Sequence, residues 1–374
     1  MQQKNSAAVI GMFGSIQALR VLAAFLVVFM HSIFFLYGEA GARSMAEPML
    51  WNALHLNVIG GAGVHIFFTI SGFVIAIQAL QSGGRGALEF FARRIVRIVP
   101  LYWILTLFVW LTSAKGSVPD AVLIKSLLFI PVDSYFPLLG VGWTLNYEMY
   151  FYLLYALLVA WLGLKRCWLA LAMAGVVLIN ITSAGKYATV LGNPIVIEFC
   201  AGMAAAFLYK NGYVARFAKA IALIGLLGMA STALWFVPDT VWALNAVIYW
   251  GVPSFFLVLG VVAMEKSGAG FLNGKVIYFL ADISYAFYLV HVIAFRWLVP
   301  AAIEHIVIPT GARLDLAIPV LIVTCLLLAA LLHIVIERPL GKAGKSLIKQ
   351  VKTRYLRAPS NVAPSYPLAS KKVS

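Results

Sequence analysis

Apolar runs as long as a bilayer is thick recur from one end of this chain to the other. Few folds accept such a pattern. A hydrocarbon core of ~30 Å takes about 20 residues of helix. Runs of that order fall near residues 16–37, 57–80, 98–113, 143–163, 168–185, 194–209, 219–237, 242–264, 277–298 and 315–336. Without water, backbone groups must satisfy one another inside each segment, so each run reads as a helix. The sequence therefore predicts an all-α integral membrane protein, a bundle of about ten transmembrane helices. The stretch 121–131 is too short to span and reads as an interfacial or re-entrant piece. The first run has no small-residue cleavage site, so it reads as a span and not as a signal peptide.

Composition agrees, with 63% hydrophobic and 11% charged residues and a mean hydropathy of +0.95. A net charge of +15 would suggest nucleic acid in a soluble protein. Here it follows topology. With the N-terminus in the cytoplasm, 22 of the 28 Lys and Arg residues fall on the cytoplasmic side and 6 outside. That asymmetry predicts both termini cytoplasmic, and no nucleic-acid partner is expected. Residues 1–340 read as one transmembrane domain. Residues 341–374 read as a basic cytoplasmic tail, disordered toward its Pro- and Ser-containing end and able to lie on anionic lipid. Cys167, Cys200 and Cys325 lie in apolar stretches without disulfide or metal spacing, so no metal is expected.

Ionisable groups inside a span are costly and suggest function. Arg93, Arg94 and Arg97 group at helical spacing beside the 98–113 run. Three guanidinium forks within five residues exceed what anchoring needs, and such forks match phosphate. Arg20 and His31 are eleven residues apart, about three turns and ~16 Å along one face. In the second run Ser71-Gly72 is a small pair that suits close packing. Ser71 is also placed with the arginines on the donor side. Glu148 lies at a depth like that of His31, with Tyr152 and Tyr155 on its face. Ser284, Tyr288 and His291 share a face of the ninth run. His333 and Glu337, four apart, read as a pair or as part of an inner vestibule. Asp282 and Glu198 have no evident partner. For His31 alone, a buried hydrogen-bonded histidine is as good a reading as a functional one.

The pattern has two ends. A cationic inner mouth of Arg20, Arg93, Arg94 and Arg97 suits a polyphosphate. A group of His31, Glu148, His291 and His65 toward the outside suits proton chemistry. The gap is about the reach of a pantetheine arm, which points to a phosphorylated thioester carrier bound from the cytoplasm.

Six segments resemble the membrane acyltransferase-3 family, in its order, and within it the bacterial exopolysaccharide-production acyltransferases. They are Ile16-Gln17-Ala18-Leu19-Arg20 through His31, Phe67-Phe68 through Ser71-Gly72-Phe73, Arg93 through Trp103, Gly142-Trp143-Thr144-Leu145-Asn146-Tyr147-Glu148, Ser284-Tyr285 to His291, and Val335-Ile336-Glu337-Arg338-Pro339. The resemblance implies a multi-pass enzyme of the bacterial inner membrane. It would move an acyl group, usually acetyl, from cytoplasmic acyl-CoA to a hydroxyl of a polysaccharide or lipid-linked sugar. It implies that His31 is the essential residue, that Arg93, Arg94 and Arg97 serve the CoA donor, and that Arg20 is the family's first-helix arginine. The family usually has Asp where this chain has His65, which makes Glu148 the expected partner of His31. Some relatives carry a fused extracytoplasmic hydrolase-like domain. None follows here, so the chain is expected to complete transfer alone or hand the acyl group on.

The expected mechanism is direct transfer. His31 acts as base, Glu148 orients it, and His291 or Tyr288 steadies the oxyanion or the acceptor. An acyl-histidine intermediate is the variant. The rival class is a transporter of a lipid-linked sugar or small anion, disfavoured by the lack of visible repeats. A non-catalytic scaffold is a third reading. Acetyl and longer donors are not distinguished, and a homo-oligomer is left open.

Overall fold

The computed structural model describes residues 13–43, 58–82, 86–114, 116–131, 136–163, 193–235, 244–268, 274–308 and 313–356, with Leu171 and Gly175. All regular structure among them is helical. The main helices are α1 (Gly14–Ala42), α2 (Gly60–Ser82), α3 (Ala87–Thr112), α4 (Asp120–Leu127), α5 (Trp143–Leu162), α6 (Val196–Asn211), α7 (Ala218–Trp235), α8 (Val252–Lys266), α9 (Lys275–Ala302), α10 (Ala317–Leu332) and α11 (Arg338–Leu356). Wider π turns occupy Val247–Gly251, Ile303–Val307 and His333–Glu337.

Among the described residues, eight helical stretches are long and apolar enough to cross a membrane. The chain is thus a multi-pass membrane protein. Apart from Leu171 and Gly175, the expected span at 168–185 lies outside the described residues, as do Cys167 and the tail beyond Leu356. The expected span at 194–209 is the 16-residue α6. At 1.5 Å per residue it covers about 24 Å, short of a full crossing. The 98–113 run is the tail of a longer helix, because α3 starts at Ala87. Hydropathy stops at the charged residues, but the helix does not. The Arg93 guanidinium reaches Glu89 one turn back at 2.5 Å, and long arginine stems cover apolar surface on the way out. The expected interfacial piece is α4, eight residues long. It is tied to α3 through Tyr102 Oη to the Ser126 carbonyl (3.1 Å) and Trp103 Nε1 to the Leu127 carbonyl (2.8 Å). The basic stretch after Gly341 is helical as far as Leu356.

α2 lies at the centre, packed along α1 and α6. α9 packs along α1 and α10, α7 along α8, and α3 along α5 and α11. Lipid supplies no hydrophobic drive between helices, so packing distance and small residues decide where they cross. α2 and α6 cross at a reciprocal pair of glycines. A Cβ on Gly72 would meet the Phe199 carbonyl oxygen at 2.0 Å, and one on Gly202 would meet the Thr69 carbonyl oxygen at 2.0 Å. α7 and α8 repeat the device. A Cβ on Gly225 would sit 2.4 Å from the Leu257 nitrogen, and one on Gly260 would sit 2.3 Å from the Ala222 nitrogen. In each case the obstruction is backbone, which cannot swing aside as a side chain does. Gly72→Val or Gly202→Val is expected to cost at least ~1–3 kcal/mol as overpacking. A thermal melt in detergent would then fall by several degrees, whereas Gly274→Ala, with nothing within 4 Å, should leave the melt unchanged. An unshifted melt for Gly72→Val would remove the crossing from this account.

Candidate active site

Two cavities in the bundle share part of their lining. The inner chamber, about 100 Å³, is bounded by α1, α2, α3, α5 and α9. The second, about 530 Å³, is a vestibule between α3, α9 and α11. Arg20, Arg94 and Arg97 line both, so a ring of guanidinium groups forms the waist between them. Arg93 lines only the vestibule and is bonded to Glu89.

The waist is held by residues of four helices, α1, α3, α5 and α9. Arg20 on α1 is only 9% exposed, and its charge needs partners there. Its Nη1 donates to Gln17 Oε1 at 3.1 Å and its Nη2 to Ser284 Oγ of α9 at 3.2 Å. Arg94 lies over the Phe90 ring at 5.0 Å and the Tyr152 ring at 5.2 Å, a cation–π clamp that holds it toward the chamber. Tyr285 Oη donates to the Ile98 carbonyl at 2.7 Å, fastening α9 to the arginine helix just before Pro100.

Glu148 lines the inner chamber. Its Oε1 accepts from Ser71 Oγ at 2.9 Å and from the Tyr152 hydroxyl in a short hydrogen bond. Ser71 lines the same chamber, and its hydroxyl is committed to Glu148. The chamber ends at Tyr288, whose hydroxyl contacts Thr144 Oγ1 at 2.9 Å and the Val141 carbonyl at 3.0 Å. Its ring meets Phe67 edge-on, with centroids 6.0 Å apart.

Beyond Tyr288 lie two histidines. The Tyr288 and His291 ring centroids are 5.9 Å apart, and those of His291 and His31 are 4.9 Å apart. His31 Nδ1 lies 2.9 Å from the Val27 carbonyl of its own helix. A carbonyl only accepts, so Nδ1 carries the hydrogen and the Nε2 lone pair is left for chemistry. His291 Nε2, 3.3 Å from the same Nδ1, is then an acceptor too. His31 is thus oriented by Val27 and by His291. The hydrogen bonds seen for Glu148 go elsewhere than His31, since its Oε1 accepts from Ser71 and Tyr152. Similar depth in the membrane does not put two residues on facing sides of neighbouring helices. The Tyr288 hydroxyl is engaged with Thr144 and the Val141 carbonyl.

His65 does not line the inner chamber. It is fully buried against Glu198 of α6, itself 2% exposed, with a short Nδ1 to Oε1 contact. The acid without an evident partner in the sequence is therefore paired, and His65 faces α6. His333 and Glu337 form their pair at 2.9 Å and also line the vestibule, with Asp282. Two features gave no sequence signal of their own. One is the Val27 carbonyl, a backbone atom. The other is the vestibule wall of Lys342 and Lys345 on α11, read from sequence only as basic tail.

The tautomer can be measured. In ¹⁵N spectra of histidine-labelled protein, the His31 resonances, assigned by their loss in His31→Gln, are expected to show a protonated Nδ1 and an unprotonated Nε2. The opposite tautomer would remove Nε2 as a base.

Comparison with known proteins gives consistent matches. The family described as "Acyltransferase domain" matches residues 13–336. The chain is 32% identical over 322 residues to the exopolysaccharide production protein ExoZ of Rhizobium meliloti strain 1021, covering 78% of this chain and 93% of that protein. It is 26% identical over 286 residues to the acyltransferase MdmB of Streptomyces mycarofaciens, covering 65% of this chain and 70% of that protein. No solved structure matches the chain at a comparable level of significance.

Proposed function

This chain belongs to the acyltransferase family that matches residues 13–336, and on that premise we propose that it moves an acetyl group from acetyl-CoA to a carbohydrate hydroxyl. The donor enters from the cytoplasm of a bacterial cell. The acceptor is a polysaccharide or lipid-linked sugar at the outer side of the inner membrane. One observation carries the reading. The guanidinium waist of Arg20, Arg94 and Arg97 is shared by a wide vestibule and a smaller chamber lined by Tyr288, whose ring lies 5.9 Å from that of His291 in the histidine pair. A chain with phosphates at one end and a thioester at the other matches that order. The likeness to an exopolysaccharide production protein favours the carbohydrate acceptor.

In the proposed step, the diphosphate rests at the waist and the pantetheine arm passes Ser71 and Glu148. The thioester then reaches past Tyr288 to the histidines. His31 Nε2 takes the proton from the acceptor hydroxyl as its oxygen bonds to the thioester carbon. The carbon–sulfur bond then breaks, and the imidazolium returns its proton to the leaving thiolate. While His31 is charged, its Nδ1 hydrogen is shared between the Val27 carbonyl and His291 Nε2, two acceptors that stabilise the cation. Glu148 sets negative charge beside the arginines and holds Tyr152 under Arg94. A positioned base of this kind contributes ~10²–10⁴-fold, so His31→Ala should lose acetylation by that order while still binding CoA.

Calorimetric titration of acetyl-CoA into wild type, His31→Ala and Arg94→Ala/Arg97→Ala tests the reading. Binding retained by His31→Ala and lost in the arginine pair supports it. Binding indifferent to the arginines sinks it, and counterflow of a sugar or anion without any acyl donor would put a transporter in its place.

A further inference from the structure

One wall of the vestibule is the cationic end of the last helical stretch. α11 is amphipathic, with Leu340, Leu347 and Val351 repeating on one exposed face. Another face carries Lys342 and Lys345, three apart, and these two line the vestibule with Arg338 at the start of the helix. The vestibule holds seven Lys and Arg residues against the carboxylates Asp282 and Glu337. Neither Lys342 nor Lys345 has an acidic partner among the described residues. Ligand clefts run from roughly 300 to 1,000 Å³, and about 530 Å³ falls within that range.

α11 is held in place. Gly344 abuts α3, where a Cβ would come within 2.2 Å of Val96 Cγ1. Lys352 Nζ bonds Glu89 Oε2 at 2.8 Å, and Glu89 Oε1 holds Arg93. One carboxylate thus ties the basic helix to the arginine helix.

The two cavities order the cations. Arg20, Arg94 and Arg97 touch both, whereas Lys342 and Lys345 touch only the outer one. A CoA thioester has a matching order of acyl group, pantetheine, diphosphate, then ribose 3′-phosphate and adenine. With the acyl end inward, the diphosphate falls at the arginine waist and the 3′-phosphate falls outside it. We propose that Lys342 and Lys345 form a binding site for the 3′-phosphate of the donor nucleotide, which makes α11 a working wall of the donor site. This rests on the acyl-CoA reading. The same lysines would also suit a phospholipid phosphate, and the experiment separates the two sources.

Protein in nanodiscs of zwitterionic lipid, and in discs containing phosphatidylglycerol, would be titrated with CoA and with 3′-dephospho-CoA. The variants are Lys342→Ala/Lys345→Ala, Lys342→Arg/Lys345→Arg, and Lys349→Ala, whose side chain does not line the vestibule. Wild type is expected to bind CoA at least tenfold more tightly than dephospho-CoA. The alanine pair should erase that preference by weakening CoA alone, and the arginine pair should keep it. Lys349→Ala should match wild type. A CoA preference that survives the alanine pair, or equal weakening of both nucleotides, overturns the assignment. A loss seen only in phosphatidylglycerol discs overturns it in favour of lipid. Wild type that binds neither nucleotide overturns the acyl-CoA reading and this inference with it.

Discussion

Helices in lipid gain nothing by hiding apolar surface from one another, so the bundle depends on how closely backbones can approach. The crossing of Gly72 and Gly202 is where that constraint is tightest, and much of the interior is registered to it. Ser71 is the residue before Gly72 and reaches Glu148 on α5. Glu198 is one turn before Gly202 on α6 and reaches His65, two turns before Gly72 on α2. A single contact without side chains thus sets one face of α2 toward the inner chamber and another toward a buried acid. The hydrogen bonds supply specificity, since a buried polar group without its partner is expensive.

The second ordering element is the pairing of α1 with α9. They touch through Arg20 and Ser284 at one end and through His31 and His291 at the other. Sequence numbers rise together along the two contacts, so the helices run parallel. Both the Arg20 member of the cationic waist and the histidine pair are therefore built on the same two elements. Their separation is fixed by helical rise and not by loops.

Much of this was legible in the residues. Apolar run lengths located most spans, and helical spacing put Arg20 with His31 and Ser284 with His291 on shared faces. What the spacing lacked was azimuth between helices. Glu148 and His31 lie at similar depth, yet Glu148 faces Ser71 and Tyr152 while His31 faces Val27 and His291. The pairing of His65 with Glu198, separated by 133 residues, was invisible for the same reason. Hydropathy also misjudged the two ends of the arginine region. It cut α3 short at its charged residues. It also took α11 from Gly341 onward for tail, because Lys342, Lys345, Lys349 and Lys352 make that helix look polar along its length.

α10 and α11 are joined through the π turn His333–Glu337 and not by a loop. A π turn accommodates one more residue than an α-turn while the helix on either side keeps its line. A helical wheel drawn without a break from Ala317 to Leu356 therefore errs by one position, about 100°, in everything past Glu337. The same extra residue confers a tolerance. Removing one codon within the turn would return it to α geometry. The lipid-facing row of α10 and the lysine row of α11 would both stay where they are, whereas a one-codon loss a few residues later would turn the remaining lysines away from the vestibule.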